Sequence, residues 1–513
     1  MTFSYALEIL AFVLPLIHLA GIILAGHATL FARTPQGAIA WAMSLIFFPY
    51  AAIPLYLVLG RKKFHGYVEA RRKGDRHIDH LADNLATALG AVRQPLSADA
   101  NRFESLEHLS LFPFTAGNSV RLLVDGEQTF DAIFAAIQSA KAYLLIQFFI
   151  FRDDALGRKL IDHLTGKARQ GLAVRVIYDE IGSIRLPHNF FNKLRAAGGQ
   201  VYAFNTRRGW RNRFQINFRN HRKIVVADGD VAFVGGHNVG TEYLGLSKRF
   251  GRWRDTHVEV RGRAVAAIQW SFIEDWHWAT GEVLDLTHPP KSLNNPDLID
   301  PPTILLDDLS AKVDVSIQRA PSPPHSYRHS PSASALVVPS GPADDIATCT
   351  LLFLAAISAA KTRLWIASPY FVPDDTVYDA LQLAAIRGVD VRIMLPAKPD
   401  HLLVYLSSFS YLRSAELVGV KFYRYQAGFL HQKVMLVDND LAAVGTANLD
   451  NRSMHLNFEL TLLFADPSFA REVAAMLEQD FANCQRATPG DLGRRRLPFQ
   501  IAVRIARLLA PIQ

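Results

Sequence analysis

The chain has 513 residues, half of them apolar, so it is long enough for two ordinary domains with appendages. Its net charge is +8, which suits an anionic partner, nucleic acid or acidic membrane, and does not choose between them. The two cysteines, Cys349 and Cys484, lie in no metal-spaced cluster, which argues against a zinc site and fits a reduced compartment.

Ala6 to Phe31 is an almost unbroken apolar run, long enough to cross a bilayer of about 30 Å hydrocarbon thickness. Ala38 to Leu59 is a second, and the short connection between them predicts a helical hairpin that tolerates Pro49 and Pro54 as membrane helices do. A signal peptide is the competing reading, but the leader lacks a basic start. Arg61, Lys62, Lys63, Arg71, Arg72, Lys73 and Arg76 crowd the exit of the second run, whereas the connection has only Arg33. Positive residues stay inside, so both ends and the body that follows are expected in the cytoplasm. Glu8 and His27 are near the ends of the first run and can reach the interface, and His18 stays open.

From residue 113 the sequence runs twice through one plan. Lys141 to Phe151 parallels Lys361 to Phe371, each an apolar strand closed by an acidic pair, Asp153-Asp154 or Asp374-Asp375. A helical stretch and further strands follow in both copies, predicting an α/β sandwich with a mostly parallel sheet in each half. The halves are expected at 113–284 and 336–487, after a basic linker at 61–112 and separated by a Pro/Ser-rich linker at 285–335. His325 and His329 fall in that linker, where no pocket is expected.

Each half carries the pattern His-x-Lys-x4-Asp-x6-Gly-x2-Asn. The first copy is His221, Lys223, Asp228, Gly235 and Asn238, and the second is His431, Lys433, Asp438, Gly445 and Asn448. On a strand, His and Lys two residues apart share a face. Gly235-Gly236 is expected to let the backbone approach a ligand. One imidazole can attack phosphorus while the other moves a proton. Lys223, Lys433, Asn238 and Asn448 then meet the phosphoryl oxygens, where charge gathers in the transition state. Asp228 and Asp438 belong to the same catalytic signature, yet a carboxylate beside phosphate repels it, so a structural role in the turn is expected of them. These cations suffice, so neither metal nor cofactor is expected. His237, His257 and His455 read as structural histidines.

An insert before the first motif holds Arg207, Arg208, Arg211 and Arg213, either a solvated loop or an anchor over anionic lipid. At the far end, Leu497, Ile501, Ile505, Leu508 and Ile512 recur at helical spacing among Arg494, Arg495, Arg496, Arg504 and Arg507. That basic amphipathic segment, 488–513, suits a membrane interface or docking on the protein's own core.

The paired motif is the signature of the phospholipase D superfamily. The strings Asn217 to Asp228, Gly445 to Glu459, Trp253 to His257, Ser340 to Pro342 and Ser368 to Pro373 resemble bacterial cardiolipin synthases. The resemblance implies two phospholipase D-like α/β halves about a pseudo-twofold, preceded by a transmembrane hairpin. It implies a phosphatidyltransferase of the bacterial inner membrane that joins two phosphatidylglycerol molecules through a phosphohistidine. It makes His221 the nucleophile, His431 the acid/base, and Asp255 and Glu459 the groups that orient the imidazoles. A hydrolytic phospholipase D, a nuclease and a non-catalytic lipid-binding scaffold are the alternatives; the hairpin speaks against nucleic acid as partner, and the intact motifs speak against the scaffold.

Overall fold

The computed structural model describes residues 2–32, 34–60, 67, 76–91, 93, 96, 100–204, 217–284, 330–487 and 496–513. The basic residues from Arg61 to Lys73, the 205–216 insert with its arginines, most of the 285–335 linker with His325 and His329, Arg33, Arg494 and Arg495, and the side chains of Glu8, Arg76 and Ile512 lie outside the described residues. Contacts divide the chain into two compact units, Met1–Lys73 with Asn205–Arg219 and Pro342–Asp345, and Gly74–Phe204 with Asn220–Gly341 and Ile346–Gln513.

In the first unit, helix Thr2–Phe31 contains one stretch, Ala11–Phe31, long and apolar enough to cross a membrane. At 1.5 Å per residue its 21 residues reach about 31 Å. The second apolar run is not one helix, as expected, but two, Pro35–Phe47 and Pro49–Leu59. Pro49 has no N–H to continue the ladder and pushes Phe48 out of the helical region, to φ −133° and ψ 50°. Pro54 stays inside its helix. Gly21 brings the helices together, because a Cβ there would stand 2.4 Å from the Leu45 carbonyl oxygen. His27 is tied to the Tyr56 hydroxyl at 2.8 Å rather than left for the interface. His18 Nδ1 lies 2.9 Å from the Leu14 carbonyl.

The second unit holds both halves on one continuous sheet. In the first half β1 (Thr115–Val124), β2 (Tyr143–Phe148), β3 (Ala173–Asp179), β4 (Gln200–Phe204), β5 (Ile224–Ala227), β6 (Val231–Gly235) and β7 (Thr256–Arg261) lie in the order β4-β3-β2-β5-β6-β7-β1. In the second, β8 (Ser330–Ser340), β9 (Arg363–Ala367), β10 (Asp390–Pro396), β11 (Lys421–Tyr425), β12 (Val434–Val437), β13 (Leu441–Gly445), β14 (Asn457–Phe464) and β15 (Cys484–Arg486) repeat it as β8-β14-β13-β12-β9-β10-β11, with β15 at the edge. The halves join where β1 pairs antiparallel with β8. Only β2-β3-β4 and β9-β10-β11 are parallel, and the central strands are antiparallel, so the sheet is mixed rather than mostly parallel. The reason is local. β5-β6 and β12-β13 are hairpins closed by three-residue turns, too short for a parallel crossover. β8 begins at Ser330, so the last six residues assigned to the linker are strand.

Each half has its own apolar core. Phe130, Ile133, Leu144, Ile146, Leu160 and Val176 belong to the first, and Leu352, Leu364, Ile366, Val391 and Ile393 to the second. Burying each such side chain contributes about 1.5–3 kcal/mol. The acidic pairs that close the first strands start helices: Asp154 accepts from the Gly157 N–H and Asp374 from the Val377 N–H. The C-terminal helix, Leu497–Leu508, docks by Val503 and Ala506, while Leu497, Ile501, Ile505 and Leu508 remain exposed. The stripe read from the sequence is thus the outward face, and a second face of the same helix meets the core.

Candidate active site

Each cassette begins just before a strand. His221 to Lys223 lead into β5, and His431 to Lys433 lead into β12. The backbone of each histidine is held by the opposite half. The His221 N–H donates to the Phe458 carbonyl at 2.9 Å, and the His431 N–H to the Arg254 carbonyl at 2.8 Å. Phe429–Leu430 and Trp253–Arg254 form a short parallel pair at the same junction.

The side chains cross over as well. His221 Nδ1 lies 3.0 and 2.9 Å from the two oxygens of Glu459, in the second half. His431 Nδ1 lies 2.7 Å from Asp255 Oδ2, in the first half. All four groups are buried. Burial pushes the His221 imidazole down to about 4, against the pull of Glu459. Burial by itself would raise the Glu459 carboxyl, but His221 and Lys223 outweigh it and hold the group below the usual range. The state consistent with both is a neutral imidazole donating Nδ1–H to an ionised carboxylate, which leaves Nε2 as the lone pair. His431 is lowered too, first by burial and then by Lys433.

Lys223 and Lys433 are buried and each donates to the carbonyl of its own histidine. Lys433 Nζ also stands 2.8 and 3.1 Å from the two ring nitrogens of His431, too evenly placed to bond either one in the ring plane. Burial lowers Lys223 to about 7 and Lys433 to about 8, so the lysines do not hold their charge as firmly as expected for free side chains. A bound phosphate would return it. The crossed anchors, His221 on Glu459 and His431 on Asp255, turn both cassettes toward the junction of the halves.

Asn238 Oδ1 accepts from the Ile150 N–H at 3.1 Å, and its Nδ2 donates to the Tyr243 hydroxyl at 3.2 Å. Asn448 is buried, and its Oδ1 has no hydrogen-bond partner among the described residues. Asp228 and Asp438 stand apart from these groups. Asp228 takes the N–H groups of Lys141, Ala142 and Tyr143 at 2.6–2.8 Å, and Asp438 those of Lys361, Thr362 and Arg363. Both aspartates adopt positive φ, 55° and 53°, at the turns that end β5 and β12. Each pins the start of the neighbouring strand.

Gly235 and Gly236 let the neighbouring strand and the carboxylate of Asp255 come close. A Cβ on Gly236 would stand 1.9 Å from Asp255 Oδ1, and one on Gly235 2.4 Å from the Thr256 carbonyl. His237 and His257 meet each other, Nδ1 to Nδ1, at 3.1 Å, and burial keeps both neutral. His455 lies 3.3 Å from Asp374.

Several wall residues went unread in the sequence. The Phe149 ring meets His221 edge-on at 5.0 Å, and Trp253 packs on His431 at 5.2 Å. Thr446, Ser453 and Asn457 hold Glu459. Trp253 had a signal in Trp-Arg-Asp-Thr-His, and Thr446, Ser453 and Asn457 had one in the Gly445 to Glu459 string, whereas Phe149 had none.

A family profile described as "Cardiolipin synthase, PLD-like domain" matches residues 133–273 and 353–483, one stretch for each cassette. The chain belongs to the cardiolipin synthase family of the phospholipase D superfamily. It is 46% identical over 98% of both chains to cardiolipin synthase A of Pseudomonas putida strain W619. It is 48% identical to cardiolipin synthase A of Pseudomonas aeruginosa strain LESB58, covering 97% of this chain and 94% of that one. Among solved structures, phosphatidylserine synthase of Haemophilus influenzae Rd KW20 is similar in fold, with TM-score 0.56 and 17% identity over 81% of this chain and all of that one. The mixed α/β fold with two phospholipase D-like halves is therefore that of the family, and the chain is an enzyme of the phosphatidyltransferase kind.

Proposed function

We propose that the chain makes cardiolipin and glycerol from two phosphatidylglycerol molecules, in two displacements at the site shared by the cassettes. The observation that carries this reading is the crossed pairing, His221 with Glu459 and His431 with Asp255, which builds one centre from both halves. His221 Nε2 attacks the phosphorus of the first lipid, and the P–O bond to its glycerol breaks. His431 gives its proton to the departing oxygen. The bound phosphodiester's negative charge favours the protonated form of His431 that this step needs. A hydroxyl of the second lipid then gives its proton to His431, its oxygen joins phosphorus, and the P–N bond to His221 breaks. Lys223, Lys433, Asn238 and Asn448 meet the phosphoryl oxygens throughout. Asp255 and Glu459 orient the rings, and Asp228 and Asp438 hold the strands that carry them. Four fixed donors around one phosphate need no metal ion or cofactor, and turnover is expected to persist in a chelator.

The substrates are anionic phospholipids, and nucleic acid is not a partner. In this reading residues 6–31 and 38–59 form a hairpin in the bacterial inner membrane, and the body faces the cytoplasm. The close contact of Gly21 with Leu45 supports the hairpin, and the basic residues at its exit support the orientation. Labelling of single cysteines at 33 and 63 from either side of sealed vesicles checks it.

Purified protein with headgroup-labelled phosphatidylglycerol tests the reaction. Cardiolipin and glycerol in equal amounts, with an acid-labile phosphoprotein lost in His221→Ala, are the expected result. Phosphatidic acid in place of cardiolipin would make the enzyme a hydrolase.

A further inference from the structure

The C-terminal helix, Leu497–Leu508, is held by one side and leaves the other uncovered. At about 100° per residue, Leu497, Ile501, Ile505 and Leu508 fall within an arc of roughly 80°, and they are 48–80% exposed. Val503 and Ala506 lie on the far side, buried in the core of the second half. Phe499 packs edge-on against Phe409 at 5.3 Å, and the Arg507 guanidinium stands 5.4 Å from the centre of the Tyr411 ring. The aliphatic stripe takes no part in this docking. Arg504 borders the stripe and is exposed, as is Arg496 at the start of the helix. From Leu492 to Gln513 the sequence holds Arg494, Arg495, Arg496, Arg504 and Arg507 and no acidic residue. Behind the helix lies the second cassette. Gln513 Nε2 donates to the Ala506 carbonyl at 2.9 Å, and the Gln513 main-chain oxygen accepts the Arg452 N–H at 2.8 Å. Arg452 belongs to the short helix Asn451–His455. Its neighbour Ser453 accepts the Asn448 N–H at 3.0 Å and donates to Glu459 Oε1 at 2.8 Å. Covalent and hydrogen bonds thus run without a gap from this helix to the carboxylate that holds His221.

We propose that the Leu497–Leu508 helix seats the catalytic body on an anionic lipid surface, with its aliphatic stripe at the headgroup boundary and Arg504 on lipid phosphates. A helix of this kind lies in the plane of the interface, its apolar face about 5–10 Å into the boundary. Charge and shape select this occupant. The stripe is convex and purely aliphatic, with no hydrogen-bonding group to set the register of a protein partner. A second copy meeting it face to face would bring arginines against arginines, whereas anionic headgroups neutralise them. Seating does more than tether. The lipid phosphates of the proposed reaction lie at headgroup level, and a helix bonded to the support of Asn448 and Glu459 fixes how high the second cassette stands above them. That consequence rests on the proposed function, whereas the seat itself does not.

The test places full-length protein carrying Cys484→Ser and Ile505→Cys, labelled at 505 with nitrobenzoxadiazole, in vesicles of phosphatidylcholine alone or mixed with phosphatidylglycerol. Spin-labelled lipid in the same bilayer reports contact by quenching. Strong quenching in the mixed vesicles and weak quenching in phosphatidylcholine are expected. Arg504→Gln should lower the ratio of seated to unseated protein about fivefold in the mixed vesicles, as losing one cation near an anionic surface does. No quenching in either lipid overturns the proposal, and so does equal quenching in both. A shielded label that lipid does not quench, with unlabelled copies cross-linking through position 505, assigns the face to a second copy and overturns it as well. The seat is then removed by Leu497→Ser with Ile501→Ser, which leave Val503 and Ala506 in place. The apparent KM for phosphatidylglycerol in vesicles should rise severalfold, while kcat/KM for dihexanoyl phosphatidylglycerol dispersed as monomers stays level. An unchanged KM on vesicles overturns the link to the cassette, and an equal loss on both substrates, the mark of a damaged body, overturns it too. If the wild type makes no cardiolipin, the proposed reaction has failed, and the quenching result still decides the seat.

Discussion

The two histidines occupy related cassettes but are held differently. His221 meets both oxygens of Glu459 and the Thr446 carbonyl, and Glu459 is itself fixed by Thr446 Oγ1, Ser453 Oγ and Asn457 Nδ2 at 2.6, 2.8 and 3.1 Å. His431 meets a single oxygen of Asp255, whose other oxygen takes the Thr256 N–H at 2.8 Å. A carboxylate with many donors stays ionised and still. The first arrangement suits a ring that must aim one nitrogen at phosphorus. The second suits a group that exchanges protons with a departing and then an arriving oxygen. The difference teaches that a duplicated motif can be held in two ways, and it fits the division of duties proposed above, in which the resemblance makes His221 the nucleophile.

The largest expected effect breaks or upholds that assignment. His221→Ala and His431→Ala should each lower transfer from phosphatidylglycerol by roughly 10³-fold or more, since acid–base catalysis alone contributes about 10²–10⁴. On a phosphatidyl ester of p-nitrophenol, whose leaving group needs no proton, His431→Ala should recover release of p-nitrophenol and His221→Ala should not. Recovery in the opposite variant would exchange the roles. Next come the carboxylates. Glu459→Gln and Asp255→Asn should each slow turnover about 10²–10³-fold, within the range for a misdirected proton carrier. Glu459→Gln should also lower stability by about 1–3 kcal/mol, because several buried donors lose an ionised acceptor, and a denaturant titration of both variants measures the contrast.

The lysines sharpen the comparison through pH. Lys223 at about 7 and Lys433 at about 8 are charged below those values in the free site, and a bound phosphodiester raises both. Below pH 7 both lysines are charged in either state and add nothing to the slope. Above its own value each lysine takes up a proton on binding, Lys223 from about pH 7 and Lys433 from about pH 8, so each should then lower affinity by up to about tenfold per pH unit. The inhibition constant of an unreactive phosphodiester between pH 6 and 9 reads this, and a flat profile would exclude it. The smallest effect concerns a strap present in the second half. Arg102 Nη2 lies 2.7 Å from both Asp438 Oδ2 and Asp440 Oδ2, and among the described residues no arginine reaches Asp228. Arg102→Ala should lower stability by about 1–3 kcal/mol with activity nearly intact, measured by chemical unfolding.

Much of the site was legible because its chemistry is local in sequence. His221 and Lys223 sit two apart at a strand entrance, and so do His431 and Lys433. Their spacing gives a shared pocket without any knowledge of topology. The orienting carboxylates, Asp255 and Glu459, were legible as positions, but not their exchange between halves, since sequence order carries no sign of which half closes over which. The antiparallel centre of the sheet was missed because alternating strands and helices at the outer edges, from Tyr143 to Phe204 and from Arg363 to Tyr425, dominate the pattern. The two hairpins that reverse it are closed by only three residues each, 228–230 and 438–440. Phe48 shows the same limit. Hydropathy reads across a Pro49 that the backbone cannot. The wall around His221 was invisible because Phe149 comes from a strand end whose apolar run looks like core.

The exchange of carboxylates has a genetic corollary. A lesion at Glu459 would silence an imidazole more than two hundred positions upstream, so its suppressors should be sought around His221 and not beside the original change. Two full-length copies, one disabled at His221 and the other at His431, should fail to complement each other unless the chains trade halves, because within each molecule every working ring borrows its anchor from the other side.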